Sequence, residues 1–314
     1  MSVSLISSVA NYLSLDKSKV LLIATEAPKT YKKYNIRKKN GGLRQIFHPS
    51  KPTKSLQYSL MQIFFSAFKI HDSAIAYRKG TKSPLLKNAK QHSHLNYTLR
   101  VDCKDFFPSI SPECISKVIT ENESFPNITS EEISFVKNAC FVRYPNARYG
   151  LAIGAPSSPI ISNIIMYEMD SKISAIAKSI SEESVYTRYA DDFVFSTSVK
   201  NGCYTFLNRL QELLKATPMP SLEINDEKTI FSSRGTRRQI TGIIITPEGR
   251  TSLGRRKKRQ IRSLLYQFQK NNISVKDLKY LNGYISYILD VEPDLYNRLV
   301  IKYGGDVFKK LKES

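Results

Sequence analysis

The stretch Val185-Tyr186-Thr187-Arg188-Tyr189-Ala190-Asp191-Asp192-Phe193-Val194-Phe195-Ser196 places two adjacent carboxylates between two short alternations of apolar and polar residues. Such alternations predict strands, and their separation predicts a β-hairpin with Asp191 and Asp192 at its tip. Adjacent aspartates repel each other, so a fold tolerates them when a cation sits between them or water solvates both. A solvated turn is the plain reading of the pair. A second predicted strand, Tyr97-Thr98-Leu99-Arg100-Val101, ends in Asp102. A strand ending in Asp beside a hairpin tipped by Asp-Asp offers the hard oxygen ligands that two Mg²⁺ ions need for phosphoryl transfer, with Mn²⁺ as a substitute.

Charge surrounds this centre. The 314 residues carry a formal net charge of +21, which predicts an acidic polymer as partner, RNA or DNA before an anionic membrane. From Ala27 to Val101 there are sixteen Lys or Arg and a single acid, Asp72. From Lys228 to Lys276 there are thirteen against Glu248 alone. Two basic segments thus flank the carboxylates, as expected if a nucleic acid is gripped on both sides of a metal site. No apolar run approaches the roughly 20 residues of a spanning helix, so no membrane partner is expected. Met1–Leu15 resembles an amphipathic helix and not a signal peptide. Cys103, Cys114, Cys140 and Cys203 lack metal-ligand spacing and fit reduced thiols of a cytoplasmic protein.

Helical spacing predicts helices over 55–68 and 157–179, the latter entered through the rigid Gly154-Ala155-Pro156-Ser157-Ser158-Pro159 loop with Ser157 as N-cap. Further helices are expected around Phe206–Leu214, Ile261–Phe268 and Leu278–Ile288, and a strand over 238–246 centred on Ile243-Ile244-Ile245. The order predicts an α+β body followed by an all-helical appendix from about residue 250.

In this order the motifs resemble those of reverse transcriptases. Tyr34–Ile46, with Lys38, Gly41-Gly42 and Arg44, is similar to the fingers hairpin, and Asp102-Cys103-Lys104-Asp105-Phe106-Phe107 to the first palm motif. Gly154–Pro159 resembles the loop that positions template and nucleotide, although Ile153 stands where Gln is usual. Tyr189–Asp192 resembles the aspartate hairpin and Asn225-Asp226-Glu227-Lys228-Thr229 the lysine motif that follows it. Asn88-Ala89-Lys90-Gln91-His92 fits the Asn-Ala-x-x-His signature of retron reverse transcriptases, and Ile240-Thr241-Gly242 is close to that family's Val-Thr-Gly.

The resemblance implies a right-hand polymerase with fingers (1–100), palm (101–245, with part of the fingers between 111 and 150) and helical thumb (246–314), with no room for a ribonuclease H domain. It implies RNA-directed DNA synthesis on a cognate structured non-coding RNA that supplies both template and a 2′-hydroxyl primer. It also implies dNTP substrates, a branched RNA–DNA product, and antiphage defence with a separate effector protein. Asp102, Asp191 and Asp192 would hold the two metal ions, Asp192 as support more than ligand. Lys228 would protonate pyrophosphate or lie on the surface. Lys38, Arg44 and Gly154 would serve the dNTP, Arg44 by a bidentate triphosphate contact. Phe107 would be the steric gate that excludes a 2′-hydroxyl, with Phe106 in the core. Asn88 and His92 would hold a local turn in support of RNA recognition, together with Thr241 and Gly242. Arg255, Arg256 and Arg259 would grip phosphates from the thumb. Two rivals remain: a reverse transcriptase of a mobile intron or diversity-generating element, and a non-catalytic RNA-binding scaffold with a polymerase fold.

Overall fold

The structure, a computed structural model, describes residues 4–37, 41–78, 80, 82–145 and 147–313. Its centre is the strand Tyr97–Lys104, in which Leu99, Val101 and Cys103 are buried on one side. This alternation makes it the spine of a five-stranded antiparallel sheet. One edge of the strand pairs with Asp192–Thr197, which pairs in turn with Val185–Tyr189. The other edge pairs with Glu223–Ile224 and Ile230–Ser233. The predicted hairpin is therefore present, and the Asp102 strand runs two residues beyond the expected end.

Helices cover one face of this sheet. Leu5–Leu13, Lys17–Glu26, Lys51–Ile63, Ser130–Cys140 and Gly202–Ala216 send Val9, Val20, Leu56, Leu60, Val136, Phe206 and Leu210 into a shared core with Leu99, Phe193 and Phe195. Phe195 stacks on Phe206 at 4.0 Å between ring centroids, fixing the sheet to the last of these helices. The helix predicted over 55–68 runs instead over Lys51–Ile63, because Ser50 caps it by accepting a hydrogen bond from the Thr53 amide.

Two further expectations are corrected. The helix predicted over 157–179 is two helices, Ser158–Ile165 and Tyr167–Ile180, separated at Met166. Ser157 has helical backbone angles and makes no cap hydrogen bond, while the Ser158 hydroxyl donates to the Ala152 carbonyl. The strand predicted over 238–246 is two strands, Arg238–Ile240 and Ile243–Ile245, folded against each other. Thr241 (φ +46°) and Gly242 (φ +87°) form the two-residue turn between them. Both positions of such a turn need positive φ, which Gly supplies without strain and Thr does not. A Cβ on Gly242 would meet nothing within 4 Å, so the backbone angle and not crowding demands glycine there.

The C-terminal helices Arg255–Gln269, Val275–Val291, Pro293–Tyr303 and Gly305–Glu313 build a second core around Leu265, Leu281, Ile288, Leu295 and Phe308. That core also takes in Ile240 and Ile243, together with Ala89 of the helix Pro84–Gln91 and Val194 of the aspartate hairpin. The basic hairpin, Lys32–Arg37 paired with Leu43–His48, projects from the body with only Phe47 buried. Lys38 lies outside the described residues.

Candidate active site

Antiparallel register sets Asp102 directly across from Asp192. The Cys103 amide donates to the Asp191 carbonyl, and the Asn225 amide donates to the Asp102 carbonyl at 2.8 Å. The backbone thus gathers the two aspartate segments and the start of the lysine motif on adjacent strands. Asn225 leads into a single helical turn, Asp226–Lys228, from which Lys228 Nζ donates to Asp102 Oδ2 at 2.8 Å. Burial raises the pKa of Asp191 above its ordinary value, with Asp102 adding to the shift. Asp192 is pushed up to about 6, first by burial and then by the charge of Asp191. Arg100 and Lys228 pull in the opposite direction.

Asp191 and Asp192, half-buried and disfavouring their own charge, gain most from a hard divalent cation, and oxygen donors are what such a cation prefers. In donor chemistry Asp102, Asp191 and Asp192 suit that role, and the strand register brings Asp102 and Asp192 together. Among the described residues, however, no three acidic, histidine or cysteine side chains converge on one point. Lys228 draws the Asp102 carboxylate to itself in this arrangement.

Beneath the hairpin lies a buried ion pair that sequence reasoning missed. Arg188 and Asp170 are both fully buried, with Arg188 NH2 to Asp170 Oδ2 at 2.7 Å and Nε to Oδ1 at 2.9 Å. The Tyr186 hydroxyl donates to Asp170 Oδ1 at 2.9 Å. A guanidinium fork on a carboxylate fixes geometry as well as charge. Here it locks the strand leading into Asp191 onto the helix Tyr167–Ile180. Arg188 NH1 also reaches the carbonyl of Ala190, which holds a left-handed φ of +57° at the tip. A signal existed: Asp170 falls within the apolar spacing Met166, Met169, Ile173, Ala177, where a charge is out of place unless paired.

The remaining predicted residues divide by position. Arg44 stands on the basic hairpin opposite Ile36, and its charge is felt at Asp191. Phe106 is core, edge-to-face with half-buried Phe107 at 5.4 Å. Gly154 has φ +114°, and a Cβ there would press on Ile46 at 2.9 Å and on the Phe47 carbonyl. The Phe47 amide donates to the Ile153 carbonyl at 2.8 Å, so this loop is pinned to the basic hairpin through backbone at the position where the usual Gln is missing.

Asn88 and His92 point into the interior, and their side-chain bonding is not local. Both are fully buried. His92 bonds Ser196 Oγ through Nδ1 at 2.9 Å and Thr187 Oγ1 through Nε2 at 2.7 Å, while the Thr187 hydroxyl donates to Asn88 Oδ1 at 2.6 Å. The motif therefore ties the helix Pro84–Gln91 to both strands of the aspartate hairpin. The Thr241 hydroxyl reaches the Leu85 carbonyl at 3.4 Å, so the Ile-Thr-Gly turn leans on the same helix. Buried Arg238, on the strand before that turn, donates to the carbonyls of Ser93 and Leu95.

Arg255, Arg256 and Arg259 are exposed on the helix Arg255–Gln269, as is Arg262. Two other cations of the run are committed internally. Lys257 donates to the Tyr280 hydroxyl at 2.9 Å and lies over the rings of Tyr280 and Tyr284, and Lys258 pairs with Glu292 at 2.6 Å. All four cysteines are buried and unpaired, and no helix among the described residues is long and apolar enough to cross a membrane.

A sheet that sets an Asp-bearing strand against an Asp-Asp hairpin, flanked by a basic hairpin and a basic helix, defines a nucleotidyltransferase of the polymerase type. The family model "Reverse transcriptase (RNA-dependent DNA polymerase)" matches residues 36–280. The retron Ec83 reverse transcriptase of Escherichia coli is 33% identical over 296 residues, covering 93% of each chain. The retron Ec73 reverse transcriptase of the same species is 33% identical, over 90% of this chain and 89% of that one. The retron Ec86 reverse transcriptase is 28% identical over 97% and 92%. The chain belongs to the reverse transcriptase family, with the right-hand polymerase fold, and is an RNA-directed DNA polymerase of the retron type. An RNA template and dNTP substrates come with that activity.

Proposed function

We propose that this polymerase copies a cognate structured non-coding RNA into DNA that stays joined to it through a 2′,5′ branch, and that the product serves antiphage defence in the cytoplasm together with a separate effector protein. The observation that carries the chemistry is the cross-strand Asp102–Asp192 pair with Asp191, Arg44 and Lys228 around it. Fingers over 1–100, palm over 101–245 and thumb over 246–314 give these residues their places.

Asp102 and Asp191 would hold two Mg²⁺ ions and Asp192 would support them; bound there, the ions would acidify the attacking hydroxyl and neutralise pyrophosphate. Lys228, already on Asp102 Oδ2, is placed to hold a proton for the leaving group. Arg44 orients the triphosphate, with Lys38 as a second cation for it, and Gly154 keeps the loop close enough for contact. Phe107 closes the sugar site against a 2′-hydroxyl. Arg255, Arg256 and Arg259 take phosphates.

Support for the branched product lies in the union of the two retron-type motifs. Asn88 and His92 fasten one helix to the aspartate hairpin, and the Thr241–Gly242 turn rests on that helix. An RNA held at the turn would therefore be held in fixed relation to the metal aspartates, as initiation from one internal 2′-hydroxyl demands. Thr241 and Gly242 remain the candidates for RNA contact.

The test is expression with the neighbouring non-coding RNA, followed by ribonuclease and debranching enzyme. DNA whose 5′ end is freed only by debranching is expected. A free 5′ end before debranching refutes the branch. Asp191→Asn should abolish synthesis with RNA binding retained, and phage plating with and without that variant tests the defence role.

A further inference from the structure

We infer that Tyr77 is a nucleotide-positioning residue, its ring packing against the incoming dNTP between Arg44 and Asp191. The inference rests on the roles proposed for Arg44 and Asp191.

The segment before Tyr77 is tied down on two sides. The Arg188 amide donates to the Ser73 carbonyl at 2.7 Å, and the Ile75 amide donates to the Arg188 carbonyl at 2.9 Å. Ala74 thereby bridges in parallel to the strand that carries the aspartate hairpin. From the other side, buried Asn163 of the helix Ser158–Ile165 donates its Nδ2 to the Ala76 carbonyl at 2.9 Å. Ala74, Ile75 and Ala76 are buried, and the next residue turns outward with φ +63° and 47% of its surface exposed.

A bulky aromatic residue at left-handed φ is strained, and such strain persists where the surroundings over-determine it, most often at functional sites. Its one ring contact among the described residues is Tyr189, at 6.4 Å and 38°. Tyr189 is two residues before Asp191. Partial burial raises the pKa of the Tyr77 hydroxyl above its ordinary value, Asp191 adds to the shift, and Arg44 opposes it. An exposed aromatic face held in strain beside Tyr189, within the fields of Asp191 and Arg44, meets the requirement for a flat, rigid surface beside a nucleotide.

The test uses the full chain on a preannealed primer–template, titrating dNTP, with Tyr77→Gly, Tyr77→Asn and Tyr77→Phe beside Arg44→Ala. Gly and Asn accept positive φ. Both should raise KM for dNTP about tenfold with kcat within about threefold, and leave primer–template Kd unchanged. Tyr77→Gly should at the same time raise the melting temperature, because the strain is relieved. Tyr77→Phe keeps ring and strain, so its KM should stay within about twofold of wild type. An unchanged KM in the Gly and Asn variants overturns the inference. So does a lower melting temperature for Tyr77→Gly, which makes the ring structural, or a weakened primer–template Kd, which moves Tyr77 onto the primer. An unchanged KM in Arg44→Ala instead removes the underlying reading of Arg44.

Discussion

Lowering the pH should destabilise this protein through His92, and the effect can be sized from its surroundings. His92 is fully buried, and burial, with smaller contributions from His94 and Arg238, lowers its pKa from 6.5 to about 3. The ring must stay neutral, because one nitrogen accepts from a hydroxyl while the other donates, and among the described residues no carboxylate acts on it to balance a cation. The folded-state pKa lies below the unfolded value, so the unfolded chain binds the extra proton first. The stability from neutral His92 is fully present above pH 6.5 and is lost as pH falls from there toward 3. At pH 5, about 1.5 units into that window, a cost of about 1.4 kcal/mol per unit gives a loss of about 2 kcal/mol. Asp192 opposes this. Its raised folded pKa of about 6 means that the folded state takes up a proton there, adding stability as pH falls through 6 toward 3.8. The assay is therefore a difference: urea unfolding of wild type and His92→Gln without divalent cations, at pH 8 and pH 5. Wild type should lose about 2 kcal/mol more than the variant over that interval. Equal losses would mean that His92 is not held neutral, and the network joining Pro84–Gln91 to the hairpin would lose its basis.

Asp170→Asn leaves Arg188 buried without a counter-charge and should cost about 3–5 kcal/mol, read as a lower urea midpoint; a loss under about 1 kcal/mol would show that the pair does not hold the hairpin. Phe107→Val should raise rNTP incorporation relative to dNTP on a primed RNA, and an unmoved ratio would return Phe107 to the core with Phe106. Neutralising Arg255, Arg256 and Arg259 together should flatten the log–log salt dependence of RNA binding by up to about one unit per lost phosphate contact. An unchanged slope would leave that face merely solvated.

The aspartate hairpin, the strand of Asp102 and the two basic flanks were legible in the amino-acid order. Each depends on a local signal: period-two alternation around Asp191-Asp192, a strand-like run up to Asp102, and charge density that no core could absorb. The five motifs in order also carried the family, because each occupies a short stretch whose spacing survives without knowledge of the fold. Only the tertiary structure decided the rest. The Ile-Thr-Gly reversal hid inside an apolar run, since hydrophobic spacing says nothing about the sign of φ at Thr241. The Asp170–Arg188 pair joins residues from a helix and a strand, and a buried charge is intelligible only beside its partner. Asn88 and His92 were legible as a motif but not as a clamp, because their partners Thr187 and Ser196 lie about a hundred residues away. Tyr77 carried no sequence signal at all; its strain and its place beside Tyr189 arise from hydrogen bonds that two other elements impose on the chain before it.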